Sequence, residues 1–148
     1  MDIAEFIAPA RIALDLRVRD KAQLLQELAR RVQPYSGGLS AGTILAALRS
    51  REELGSTGLG KGFALPHARI EGLKGFLGLL ARLARPIEYD AIDGAPVDLV
   101  FLLLMPAEAG NNHVAALAAV SRRFRDGDVM ARLRKADAAT AFGILAVQ

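Results

Sequence analysis

The chain has two histidines, His67 and His113, and the first stands in a setting that suggests phosphate chemistry. His67 follows Pro66 in "FALPHARI", directly after the glycine-rich stretch "GSTGLGKG" at 55–62. Proline fixes its own φ near about −65° and removes a backbone donor, so the imidazole is expected at a strand end facing a surface. With an ordinary pKa of about 6.5, imidazole is largely neutral near pH 7 and keeps one nitrogen lone pair, which can attack phosphorus and leave again. Arg51, upstream on a predicted helix, and Arg69, two residues beyond His67, offer guanidinium groups whose paired N–H donors match phosphoryl oxygens. His113 follows Asn111 and Asn112 at the start of another predicted helix, where N–H groups and dipole favour an anion. Each residue also has an ordinary role open to it: a packed structural histidine, a solvated helix end, a solvated strand.

The glycines raise a second possibility. Gly55, Gly60 and Lys61 fit the nucleotide-binding pattern G-x-x-x-x-G-K, but Gly62 stands where a Ser or Thr must ligate Mg²⁺. That cradle also needs a strand before the loop and a helix after it, and here the patterns run helix, loop, short strand. A nucleotide site is therefore disfavoured, and the glycines read as backbone open to close approach. No acid pair stands out: Glu52 and Glu53 are adjacent and point in different directions on a helix, while Asp90 and Asp93 belong to a turn. Glycosidase and metal-hydrolase chemistry find no support.

The elements that must position these residues are legible from periodicity. Ala22, Leu24, Leu25, Leu28, Ala29 and Val32 recur at helical spacing behind Asp20, a ready N-cap. After the break "QPYSGG", Ser40 opens a second helix with Ile44, Leu45 and Leu48 on one stripe and Gly55 as its stop. "GFAL", cut by Pro66, "FLGLLARL" and "VDLVFLLLMP" are apolar runs of strand length, the last continuous as in a strand covered on both faces. Asp93-Gly94 and Pro96 mark a turn between the last two. Val114, Leu117, Ala118, Val120 and Phe124 give a further helix, and residues 127–148 one or two short ones. The expected fold is a single α/β domain over 1–148, with a mixed sheet of four to five strands flanked by helices on both faces.

Bulk composition narrows the function. A chain of 148 residues, 52% hydrophobic and 24% charged, fits one globular domain. Its 19 basic residues are spread among 16 acids for a net charge of only +3, which is no nucleic-acid footprint. There is no cysteine, and two separate histidines are a poor metal inventory, so neither a metal nor another cofactor is expected. The N-terminus carries Asp2 and Glu5 and lacks the apolar core of a signal peptide. The longest apolar run, Leu99 to Met105, is far short of the roughly 20 residues that span a bilayer. A cytoplasmic protein without membrane insertion is the expectation.

With the loop, the Pro-His step and the second histidine in place, the chain resembles enzyme IIA of the fructose/mannitol type in the phosphoenolpyruvate-dependent phosphotransferase system, and within it the nitrogen-regulatory branch. The resemblance rests on residues 51–70, "REELGSTGLGKGFALPHARI", on 86–108, and on "NNHVAALAAVSRRFRD" at 111–126. It implies a phosphocarrier in which His67 accepts a phosphoryl group from the phosphohistidine of a small carrier protein of the HPr or NPr class. Arg51 and His113 match the two family positions lining that site. Ser56, Thr57, Gly58, Gly60, Pro66 and Arg69 are then expected to form partner-binding surface, with Gly58 and Gly60 letting the loop crowd the phosphorylated imidazole. The absence of a fused membrane or second carrier domain suggests a free-standing IIA whose phosphorylation state regulates nitrogen, potassium or carbon metabolism. The alternatives are the IIA component of a fructose- or mannitol-type permease, handing phosphate to a IIB partner, and a non-catalytic binding module with structural histidines.

Overall fold

The computed structural model describes residues 1–147. Two 3-10 turns, Ile3–Glu5 and Pro9–Arg11, lead into strand β1, Ile12–Leu16. Helices α1, Lys21–Val32, and α2, Ala41–Glu53, follow. Strands β2, Gly58–Gly60, β3, Phe63–Ala64, and β4, His67–Ile70, are short, whereas β5, Leu77–Ile87, and β6, Val97–Pro106, are long. Helices α3, Asn112–Phe124, α4, Gly127–Leu133, and α5, Ala138–Ala146, complete the chain.

These elements make one mixed sheet in the order β1-β5-β6-β3-β2, with β4 also on β6. β1 runs parallel to β5, β5 antiparallel to β6, and β3 and β4 lie parallel to β6 end to end. The apolar run of β6 is buried from Leu99 to Met105, because one sheet face packs on α1 and α2 and the other on α3, α4 and α5. Each leucine so enclosed contributes about 1.5–3 kcal/mol of apolar burial. Asp20 and Ser40 cap α1 and α2 as expected, accepting from the backbone N–H of Gln23 and Thr43. None of the helices among the described residues is long and apolar enough to cross a membrane.

The α/β class, mixed sheet and helices on both faces agree with the sequence reading, and the sheet has six strands. One source of the difference is β1, which periodicity misses because Asp15 takes a left-handed φ of 54° and shifts the register between Ala13 and Leu16. A second is β2, in the glycine-rich stretch read as a loop, and a third is Pro66, which lacks the N–H a continuous strand would need. It separates β3 from β4 while its carbonyl accepts from the Leu103 N–H at 3.0 Å. The buried stripe of α3 is also offset from expectation: His113, Ala116, Ala119, Val120 and Phe124 face inward, while Val114 is 70% exposed and Ala118 is exposed. The two small alanines bring the helix close to the sheet, so a polar residue, His113, leads the buried face.

The glycine-rich stretch is a hairpin. β2 and β3 pair antiparallel around a turn at Lys61 and Gly62, and a strand rather than a helix follows the lysine. Gly62 has a φ of 82°, and a Cβ there would lie 2.6 Å from Arg134 Nη2 and 2.9 Å from Asp98 Oδ1. The residue that breaks the nucleotide motif is thus the one that lets the Arg134–Asp98 ion pair close on the turn.

Candidate functional site

Pro66 and the register of β4 determine where His67 points. His67 and Arg69 lie opposite Leu103 and Met105 of β6, on the face toward α3, while Ala68 and Ile70 turn to the core beneath α1 and α2. β4 pairs only with β6, so the half-buried imidazole sits at a sheet edge. The end of α2 brings Arg51 to it, and the start of α3 brings His113. Together Arg51, Leu54, His67, Arg69, His113 and Val114 line an open cleft of about 400 Å³.

The hydrogen bonds define the state of the imidazole. His67 Nδ1 lies 2.8 Å from the carbonyl oxygen of Leu65. A carbonyl only accepts, so Nδ1 carries the proton and the lone pair is on Nε2. Arg51 Nε donates to that lone pair at 3.3 Å, and Arg51 Nη1 donates to Gly55 O at 2.9 Å. Nε2 is therefore the unprotonated nitrogen, with a permanent cation beside it.

Burial lowers the His67 pKa below 6.5, and the positive charges of Arg51 and Arg69 act in the same direction. The Leu65 carbonyl and the carboxylate of Glu52 oppose them. A lowered pKa keeps the ring neutral and nucleophilic at cellular pH. The sign gives a test: any attack by His67 stays constant as pH falls to about 6.5 and declines only below it. An NMR titration of the imidazole protons checks this directly; a midpoint above 6.5 contradicts the reading.

His113 is 4% exposed and its Nε2 donates to the Pro106 carbonyl at 2.6 Å. Its second nitrogen, Nδ1, can donate to an anion only when the ring is protonated. Arg69 is exposed on the same strand face as His67 and has no ion-pair partner among the described residues.

The loop residues expected to meet a partner lie elsewhere. Ser56 Oγ donates to Tyr89 O at 3.1 Å. Thr57, Gly58, Gly60 and Pro66 are buried and do not line the cleft. Gly58 and Gly60 crowd the 89–93 segment, not the imidazole: a Cβ on Gly58 would fall 2.7 Å from Ala91 Cβ, and one on Gly60 would fall 3.1 Å from Asp93 Oδ2. The exposed apolar side chains on the rim of the cleft are Leu54 and Val114, 84% and 70% exposed.

Sequence reasoning missed Glu52. Its carboxylate is drawn inward and accepts from Lys21 Nζ at 2.8 Å and the Thr57 N–H at 3.1 Å. The signal was present: Ile44, Leu48 and Glu52 recur every fourth residue, which places an acid on the buried stripe of α2.

Residues 5–145 match the family described as the EIIA 2 component of the phosphoenolpyruvate-dependent sugar phosphotransferase system. The chain is 43% identical to a nitrogen regulatory protein of Bradyrhizobium diazoefficiens, over 99% of this chain and 96% of that one. It is 35% identical to the crystal structure of nitrogen regulatory protein IIA-Ntr from Neisseria meningitidis, with a TM-score of 0.92 over 97% of this chain and 98% of that one. The Escherichia coli mannitol enzyme IIA, solved in complex with phosphorylated mannitol enzyme IIB, shares the fold at 14% identity, with a TM-score of 0.80 over 95% of this chain and 96% of that one.

Proposed function

Because the chain belongs to the EIIA 2 family of the phosphoenolpyruvate-dependent sugar phosphotransferase system, we propose that it is a cytoplasmic phosphocarrier of the nitrogen-regulatory kind, phosphorylated on His67. The observation that carries this reading is the imidazole whose Nδ1–H is held by Leu65 O while Nε2 faces Arg51. The donor is the phosphohistidine of a small carrier protein of the HPr or NPr class. As Arg51 Nε–H turns from Nε2 to a phosphoryl oxygen, the freed Nε2 lone pair attacks phosphorus, the new N–P bond forms as the donor's N–P bond breaks, and the electron pair of the broken bond returns to the donor imidazole. His67 Nδ1 keeps its proton, so the phosphorylated ring carries a positive charge beside the Leu65 carbonyl and is itself ready to leave. The transition state is loose and spreads charge over three equatorial oxygens, so positioning and nearby cations do most of the work. Arg51 is the first of these; Arg69 and His113 line the same cleft.

The output is regulatory: a phosphoryl group bringing nearly two negative charges to a cleft rimmed by Leu54 and Val114 alters which partner surface fits there. The targets belong to nitrogen, potassium or carbon metabolism. Incubation with phosphoenolpyruvate, enzyme I and the carrier protein tests the reading, and one acid-labile phosphoryl group per chain is the expected result. Failure to acquire it overturns the proposal.

A second reading, favoured by the fold shared with the mannitol enzyme IIA, makes the chain the IIA of a sugar permease. It requires the phosphoryl group to pass on to a IIB partner and to be lost when the matching sugar is supplied. Retention of phosphate with every fructose- and mannitol-type IIB tested removes it.

A further inference from the structure

Glu52 lies outside the cleft, yet the polar groups around it converge on the turn that carries Arg51. Its side chain is 8% exposed. The carboxylate accepts from Lys21 Nζ at 2.8 Å, from the Thr57 N–H at 3.1 Å and from Tyr89 OH at 3.3 Å, and it also accepts from the Thr57 hydroxyl. Lys21 Nζ stands 4.4 Å over the ring of Tyr89, whose hydroxyl lies 2.9 Å from Thr57 Oγ1. One carboxylate thus joins the start of α1, the end of α2, the turn after it and the segment following β5. Burial pushes its pKa up, but the donors from Lys21 and Thr57 outweigh burial and keep it ionised. Burial also pushes the Tyr89 phenol well above its ordinary value, so the hydroxyl stays a donor. A buried charge with all its partners in place has one favoured position.

Arg51 and Glu52 grip the same turn from opposite sides. Arg51 holds the Gly55 carbonyl while its Nε faces His67, and Glu52 holds both polar groups of Thr57. We propose that Glu52 is a positioning residue for phosphoryl transfer: held by Lys21, Thr57 and Tyr89, it fixes the Leu54–Thr57 turn and through it the aim of the Arg51 guanidinium at His67 Nε2. The inference rests on His67 being the phosphoacceptor. The Glu52 carboxylate bonds neither the imidazole nor any side chain lining the cleft, so it acts on the chemical step and leaves docking alone.

The test compares the intact chain with Glu52→Gln and Tyr89→Phe, using the phosphorylated carrier protein as donor. Glu52→Gln is expected to lower kcat about tenfold, the scale of a small misplacement of a catalytic group, with KM for the carrier unchanged. Tyr89→Phe, which keeps the core ring and removes one donor, lowers kcat about threefold. Exchange of the Arg51 Nε–H, followed by NMR without any donor, speeds up in both variants. The charged and titratable groups facing His67 are Arg51, Arg69 and His113, with Glu52 behind Arg51. Loss of the carboxylate therefore lowers the His67 pKa further, and the fall in kcat at neutral pH cannot come from ring protonation. Folded variants with unchanged kcat and unchanged Arg51 exchange overturn the inference; if Glu52→Gln fails to fold, Tyr89→Phe alone decides. An intact chain that accepts no phosphoryl group overturns the parent reading instead, and the exchange measurement then decides the positioning role by itself.

Discussion

Replacing His67 by alanine abolishes phosphoryl uptake, lowering its rate by about 10⁴-fold or more, the scale seen when an enzyme loses its nucleophile. The size of the effect follows from the absence of a substitute. The chain has no cysteine, and the other histidine, His113, is buried with its Nε2 committed to the Pro106 carbonyl. His113 keeps a lone pair on Nδ1, but its ring is only 4% exposed and is held by the Pro106 carbonyl, so it is a poor substitute for the half-buried His67. The fold should survive, because His67 is half-buried at a sheet edge and its backbone pairing with β6 is independent of the side chain. The variant's circular dichroism is expected to match the parent's, with stability within about 1 kcal/mol. Labelled phosphoenolpyruvate with enzyme I and the carrier reads the outcome. Uptake that persists in His67→Ala places the acceptor elsewhere, and partner binding unchanged by both phosphorylation and His67→Ala favours a non-catalytic binding module.

Replacing Arg51 by leucine gives the second large effect, a loss of about 10²-fold in the transfer rate, the scale for removing one preorganised donor from a charge-developing transition state. Arg51 donates through Nε to the nucleophilic nitrogen and through Nη1 to Gly55 O, so its plane is fixed before the donor arrives. Lysine keeps the charge but has one ammonium in place of this fork, and Arg51→Lys recovers only part of the rate. The substitution also moves the pH profile in a defined direction. Arg51 holds the His67 pKa down. Its removal therefore raises that pKa, and the decline in rate on acidification begins at a higher pH in Arg51→Leu than in the parent. A rate loss with no change in the acid limb would show that the guanidinium does not face the imidazole in solution.

Much of this arrangement is legible in the sequence because it is local. The Pro66–His67 step, the helix ending near Gly55 and the helix opening at Asn112 each follow from residues adjacent in the chain, and each places one of the cleft's side chains. What escapes is long-range or depends on exceptions to periodicity. β1 is hidden by the left-handed Asp15, and the inward turn of His113 is hidden because the next buried positions of its helix, Ala116 and Ala119, are small. The glycines of 55–62 look as if they are made for a ligand. Their tight approaches are instead to Ala91, Asp93 and the Arg134–Asp98 pair, partners more than 25 residues away that no local pattern reveals. Glu52 is the instructive omission. Compared only with Glu53 as a possible acid pair it has no meaning, whereas its spacing from Ile44 and Leu48 marks it as a buried charge needing partners, which Lys21, Thr57 and Tyr89 provide.

The most direct test of the account is nitrogen-15 NMR of the imidazole side chains before and after phosphorylation by the carrier protein. The free protein should show His67 as the neutral Nδ1–H tautomer, and the phosphorylated protein should show coupling of phosphorus to His67 Nε2 with the Nδ1 proton still in place. Phosphorus coupled to Nδ1, coupling to His113, or a phosphorylated chain with no phosphohistidine at position 67 would contradict it.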